Sequence, residues 1–407
     1  MSRDKAIRAR AKAVIPGGMW GHMDVAALPA GYPQFFASAD GARVRDVDGN
    51  EYIDFMCGYG PMILGYNDPE VEAAFRLQHA ALEIANGPAE VTVDLAETLV
   101  ELIPAADWAM FSKNGTDATT ACVTIARAQT GRSKILVANG AYHGAAPWCT
   151  PRPAGTTLED RAHLIHYDYN DMESLNRAME RAGPDLAGIV TSAFRHDIRR
   201  DQEMPTPEFA RAMRRLADAA GAALILDDVR AGFRIDLGGS WEPLGVRPDL
   251  SAWSKALGNG HPIAAVTGND RFRDAARQVF VTGSFWCGAG AMAAALATVQ
   301  KLRRIDAIRH MVRLGGMLRA GVQAQADDLG LGLRQSGPPQ MPLMLFDDDP
   351  DFAKGNLFAV TALRHGVYLH PWHNMFLSAA HTEDDIERAL VATQQGLDAV
   401  ARQFPPT

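Results

Sequence analysis

The chain has 407 residues, 47% hydrophobic and 22% charged, a balance that excludes a disordered polypeptide and supplies apolar material for two or three cores. Lys and Arg number 40 against 48 Asp and Glu, giving a net charge of -8, so no global positive field recruits phosphate backbones and nucleic acid is not an expected partner. The four cysteines, Cys57, Cys122, Cys149 and Cys287, form no C-x-x-C pair, and no apolar leader or bilayer-length apolar run is present; the expectation is a cytoplasmic protein with no disulfide framework, no zinc thiolates and no membrane span.

In chain order, residues 1–54 read as an irregular arm and a small meander, with turn signals at Pro16-Gly17-Gly18 and Asp48-Gly49-Asn50 around β-like runs at Ala42–Arg45 and Glu51–Ile53. Residues 55–295 form a large α/β domain. Within it, short apolar runs alternate with amphipathic stretches, which predicts a parallel sheet covered by helices, with strands at Lys134–Val137, Gly188–Thr191, Ala223–Asp227 and Ile263–Thr267. One helix is well punctuated: Thr206 caps it, Pro207 opens it, Phe209, Met213 and Leu216 line one face, and Gly221 closes it. Residues 296–407 read as a smaller α+β domain, with helices at Ile308–Leu329, Asn356–His365 and Glu383–Arg402 and strands at Leu343–Phe346, Val367–His370 and Phe376–Ala379.

Four segments carry candidate chemistry. The apolar strand ending at Asp227 and Asp228 places carboxylates beyond a strand's carboxyl end, where open sheets bind ligands; one of them could serve a cofactor, or both could be solvated or capping acids. Lys255 follows an apolar run and precedes a glycine-containing loop; burial there would lower its pKa and free a neutral amine to attack an aldehyde, the alternative being a surface lysine. Asn114-Gly115-Thr116-Asp117-Ala118 opens a helix and reads as a phosphate cup or as ordinary N-capping. Gly140-Ala141-Tyr142-His143-Gly144 offers a ring that could stack on a planar group or simply pack in a turn. Two further clusters, His370 with His373 and Asp347-Asp348-Asp349 with Asp351, lack metal-binding patterns and read as a packed loop and a solvated turn.

Together these residues resemble the class III aminotransferases, fold-type I pyridoxal-phosphate enzymes that include glutamate-1-semialdehyde aminomutase. The similarity runs from Pro16 to the last helix through Ile15-Pro16-Gly17-Gly18, Gly60-Pro61-Met62-Ile63-Leu64-Gly65, Asn114–Ala118, Tyr142-His143-Gly144, Leu226–Val229 with Gly232-Phe233-Arg234, Pro248–Lys255 and Gly366–Leu369. The resemblance implies a large domain built on a mostly parallel seven-stranded sheet, the small α+β domain and the N-terminal arm. It implies that Lys255 bonds covalently to pyridoxal 5'-phosphate and carries a proton, and that Asp227 pairs with the pyridine nitrogen. Val229 and Tyr142 would flank the ring, Asn114, Gly115, Thr116 and His143 would complete the cofactor site, and Ser284 of a neighbouring subunit would reach the phosphate in a homodimer. The implied activity is transfer of an amino group from an amine or non-α amino acid to a keto acceptor through pyridoxamine phosphate, with an aminomutase isomerisation as the alternative.

The chain also departs from the family pattern. An ungapped alignment puts Asp24 where the aminomutase has a carboxylate-binding arginine, which weakens that alternative. Tyr59 replaces a tryptophan, and Thr191-Ser192-Ala193, followed by Phe194, Arg195 and His196, replaces Glu-Pro-Val. His196 falls near the family asparagine that contacts the cofactor's phenolic oxygen. Trp20, Tyr59, Arg195 and Arg230 are the candidate substrate residues.

Overall fold

The computed structural model describes residues 2–21, 23, 24, 28, 29 and 31–405. The first strands in chain order form a meander, β1 (Phe36–Asp40), β2 (Arg43–Asp46) and β3 (Glu51–Asp54). The large sheet follows: β4 (Trp108–Ser112), β5 (Lys134–Ala138), β6 (Leu164–Tyr167), β7 (Leu186–Ser192), β8 (Ala223–Asp227), β9 (Leu250–Trp253) and β10 (Ala264–Gly268). The C-terminal region adds β11 (Leu333–Ser336), β12 (Leu343–Phe346) and β13 (Val367–Tyr368).

The seven strands lie in the order β4-β10-β9-β8-β7-β5-β6, all parallel except β10, which runs antiparallel to both its neighbours. The innermost strands are mostly apolar because helices cover both faces: β7 and β8 are buried along their whole length, with polar residues only at their carboxyl ends, Thr191-Ser192 and Asp227. The helix Pro207–Ala220 forms where its punctuation predicts. Thr206 accepts the Phe209 N–H at 3.2 Å, Gly221 closes it at φ 61, and Phe209 and Met213 pack with Leu224 and Leu226 on one face of the sheet. Each such closure matters to the site, since it fixes where β8 starts and therefore where Asp227 ends.

The ends of the chain differ from the expected plan. Residues 3–14 form a twelve-residue helix rather than an irregular arm. Ser2 caps it, and Asp4 accepts the backbone N–H groups of Gln34 and Phe35 at 3.0 Å, tying the helix to the meander. The expected first and third segments share one sheet, β1-β2-β3-β13, with Val367 paired in parallel to Ile53. Phe376–Ala379 is not a ladder strand: the N–H groups of Phe376, Leu377 and Ala379 go to Phe55, Gln340 and Ile63, three separate segments. The preceding strand stops at Tyr368, short of His370.

Arg234, fully buried, clamps this irregular region. It donates to the carbonyls of Gly60 and Leu377 at 2.6 and 2.7 Å and sits over the Phe376 ring. Through it the turn after β8 is bonded to the segments around Gly60 and Leu377.

Candidate functional site

A cavity of about 270 Å³ opens at the carboxyl edge of the large sheet. Its walls come from the segments following β4, β5, β7, β8 and β9, the position where parallel strands deliver side chains into one crevice. Asn114, Gly115, Thr116, Tyr142, His143, His196, Asp227, Val229, Arg230 and Lys255 all line it. Thr119 and Ser254 also line it and were not anticipated. Thr119 lies one turn beyond Gly115 on the same helix face, and Ser254 sits between the end of β9 and Lys255, so helical spacing and strand position were the available signals.

One end of the cavity is the start of the helix Gly115–Thr130. Asn114 and Asp117 form a capping box in which the Asn114 side chain accepts the Asp117 N–H at 3.1 Å, leaving the first-turn N–H groups and the positive end of the dipole toward the cavity. Packing is tight here. A Cβ on Gly115 would lie 2.7 Å from Val229 Cγ1, and one on Gly144, where φ is +123, would lie 2.5 Å from Thr116 Oγ1. The same Thr116 hydroxyl accepts the Ala145 N–H at 3.1 Å. Gly144→Ala is therefore expected to cost about 2 kcal/mol of stability and to loosen this end of the cavity, read as a lower thermal midpoint and faster loss of a bound anion on dialysis.

At the end of β8 the two acids separate, because successive strand residues point to opposite faces. Asp227 faces the cavity, accepting from His143 Nδ1 at 2.7 Å and from the Val229 N–H at 3.1 Å. Asp228 turns away into the core and accepts the Ser240 N–H at 3.0 Å, burial lifting its pKa to about 7. With Nδ1–H of His143 donated to Asp227, its Nε2 is buried without a hydrogen-bond partner among the described residues. Thr119 Oγ1 holds the His143 carbonyl at 2.7 Å and so fixes the imidazole's backbone.

Lys255 opens a short 3-10 turn at φ 43, a left-handed conformation that a lysine adopts only when its surroundings enforce it. Burial, and next the charge of Arg230, push its pKa down to about 7 against the opposing pull of Asp227. Its proton thus leaves near neutrality instead of above 10, and the nucleophilic fraction grows as pH rises through about 7.

Of the four candidate substrate residues, Arg230 alone lines this cavity. It donates Nη1 to Asn374 Oδ1 at 2.8 Å and to the His196 carbonyl at 3.3 Å. Arg195 is engaged elsewhere, bonded to Asp197 at 3.2 Å and Glu203 at 3.0 Å. Tyr59 packs edge-on against His373, ring centroids 5.3 Å apart. Trp20 is 66% exposed, and Ser284 lies on an exposed turn, neither in the cavity wall of the single chain. The imidazole of His196 is held well below its ordinary pKa by burial and by the positive charges of Arg230 and Lys255, hence neutral. His370 spends Nδ1 on the N–H groups of Trp372 and His373.

A profile described as Aminotransferase class-III matches residues 28–382. The chain belongs to the class III aminotransferases. It is 50% identical over 403 residues to an aminopentol aminotransferase of Sphingopyxis macrogoltabida, covering 99% of this aminotransferase and 96% of that protein. The FumI protein of Sphingopyxis sp. MTA144, solved in a PLP internal aldimine form, superposes with a TM-score of 0.97 at 50% identity, covering 99% and 97% of the two chains. A glutamate-1-semialdehyde 2,1-aminomutase of Brevibacillus brevis is more distant, 30% identical over 427 residues with 98% and 99% covered. The fold is the fold-type I architecture implied by the motifs, and the aminotransferase uses pyridoxal 5'-phosphate. The cavity suits that group: a helix start for the phosphate, a carboxylate for the ring nitrogen and a low-pKa amine for the aldehyde stand in one enclosure, with an unpartnered buried imidazole nitrogen beside the carboxylate. No described helix is long and apolar enough to cross a membrane.

Proposed function

We propose that this aminotransferase moves the amino group of an amine or other non-α amino compound to a keto acid, with Lys255, Asp227 and Arg230 in the principal roles. The observation that carries the reading is the enclosure of the Lys255 amine with the Asp227 carboxylate and the Gly115-Thr116 helix start in one cavity. When bound, pyridoxal phosphate supplies an aldehyde that carries the amino group and a ring that takes up the electron pair left when a substrate C–H proton departs.

Lys255 would hold the cofactor through Nζ and would move the proton at the substrate carbon; its lowered pKa suits both duties. Asp227 keeps the ring nitrogen protonated, its own position set by His143 Nδ1 and the Val229 N–H. The backbone N–H groups of Gly115 and Thr116, with the Thr116 hydroxyl, would hold the phosphate, and Val229 and Tyr142, which line the same cavity, would flank the ring. His196 closes the wall beside Arg230. Arg230 takes the acceptor's carboxylate, since Arg195 is already neutralised by two acids. A non-α donor agrees with the aminopentol specificity named for the 50%-identical relative and with Asp24 in place of an arginine.

The working form is a homodimer in the cytoplasm. Phe280 and Phe285, 93% and 70% exposed, flank Ser284 on a surface suited to a second copy, whose Ser284 would reach the phosphate; the four cysteines are free thiols. Trp20 and Tyr59 would border the substrate's path. Sedimentation velocity should give twice the chain mass.

The deciding experiment offers 2-aminooctane and a series of amino acids with pyruvate, 2-oxoglutarate or no acceptor. Sustained turnover that requires a keto acceptor is expected. Conversion of glutamate-1-semialdehyde without any acceptor would replace the transfer reading by the isomerase one. A second expectation follows from Lys255: capture of the cofactor by cofactor-free protein accelerates between about pH 6 and 8 and then levels off, followed by the growth of bound-cofactor absorbance. A rise centred near pH 10 would place that amine in ordinary water.

A further inference from the structure

The anchor of Arg230 differs from that of its neighbour Arg195, which meets two acids, Asp197 and Glu203. Arg230 is nine-tenths buried, yet its hydrogen-bond partners are neutral: the side-chain oxygen of Asn374 at 2.8 Å and the carbonyl of His196 at 3.3 Å. Among the described residues no carboxylate forms an ion pair with it, Asp227 and Asp197 acting only from farther away. Burial lowers its pKa to about 10, so it stays charged at neutral pH.

Asn374 is itself held in place. Its Nδ2 donates to the Met375 carbonyl at 3.1 Å, and its own carbonyl accepts His373 Nδ1–H at 2.7 Å. The His373 ring rests against Tyr59. Two residues earlier, the Trp372 carbonyl accepts the Arg199 N–H at 3.0 Å, with the Arg199 guanidinium 4.6 Å from the Trp372 ring. Because a guanidinium can only donate, the amide must turn its oxygen toward Arg230. The segment from Trp372 to Asn374 is thus a strap, fixed at both ends, that presents one neutral acceptor to one buried cation.

We propose that Asn374 is a positioning residue for the acceptor: its amide oxygen fixes the Arg230 guanidinium in the cavity wall while leaving the charge available for the carboxylate of the keto acid. This rests on the reading that Arg230 binds that carboxylate. An aspartate at 374 would occupy the same space and form a charge-assisted bond at the same distance, consuming the charge the acceptor needs. The neutrality of the side chain, as much as its shape, is what the site uses.

The test compares Asn374→Asp, Asn374→Ala and Arg230→Gln in the loaded enzyme, with 2-aminooctane as donor and either pyruvate or butanal, which lacks a carboxylate, as acceptor. Asn374→Asp is expected to raise the KM for pyruvate about tenfold or more while the KM values for butanal and 2-aminooctane stay within about twofold. In the cofactor-free chain it should also raise the pH midpoint for acetylation of Lys255, followed by peptide mass spectrometry, because Arg230 no longer opposes the ammonium beside Asp227 and Arg234. Asn374→Ala removes the anchor without adding charge: it raises the pyruvate KM too but leaves the acetylation midpoint in place. If Arg230→Gln raises the pyruvate KM and neither Asn374 variant does, or if pyruvate and butanal shift together, the positioning role is wrong. If Arg230→Gln itself leaves the pyruvate KM unchanged, the carboxylate reading of Arg230 falls, and this inference with it.

Discussion

Replacing Lys255 by alanine is expected to lower turnover about a thousandfold or more while the folded protein persists. In the proposed mechanism the residue would have two duties that no neighbour duplicates: it would bond the cofactor and move the proton at the reacting carbon, a general acid/base contribution alone of about 10²–10⁴. His143 and His196, the two imidazoles in the wall, are committed to Asp227 and held neutral beside Arg230, respectively. Stability should change little, because the substitution removes an amine whose burial disfavours its charge, while alanine inherits the same φ of 43. The measurement pairs steady-state rates with thermal unfolding and the spectrum of the bound cofactor. Added ethylamine, small enough to enter the space left by the side chain, should restore part of the rate. Undiminished turnover in Lys255→Ala would remove the assignment.

Asp227→Asn follows, with kcat expected to fall about 10²–10³-fold and the acceptor and donor KM values moving far less. The substitution keeps the side chain's shape and still offers an oxygen to His143 Nδ1–H, 2.7 Å away in the parent. What it loses is the negative charge that, in the proposed mechanism, would keep the ring nitrogen protonated, a charge that would matter most when the substrate proton departs. The loss therefore falls on the chemical step rather than on binding. Single-turnover absorbance, which isolates proton removal from release, is the measurement. A variant that lost donor binding but kept kcat would show that Asp227 serves to position substrate instead.

Much of this site was legible because its parts are local. The punctuation of Pro207–Ala220 by Thr206 and Gly221, and the apolar run into Asp227, are written in neighbouring residues and appear as read. The choice of Asp227 over Asp228 came from the family resemblance and not from the local pattern, since it depends on which face of β8 meets the cavity. Short strands such as β4, β6 and β9 escaped notice because four or five residues show too little period to separate from loops. The extended run Phe376–Ala379 looked like a strand by composition, but its N–H groups are shared among three segments, a tertiary fact with no local signature. The same reason hid Asn374: its meaning lies in a bond to a residue 144 positions away.

The parallel pairing of Val367 with Ile53 joins residues 314 positions apart (367 minus 53). A ribosome releases the meander long before it makes the strand that completes its sheet, so the open edge of β3 must wait unpaired through nearly all of translation. Removing the C-terminal strand would therefore strand the earliest-made part of the polypeptide, leaving an exposed template for aggregation far from the lesion itself.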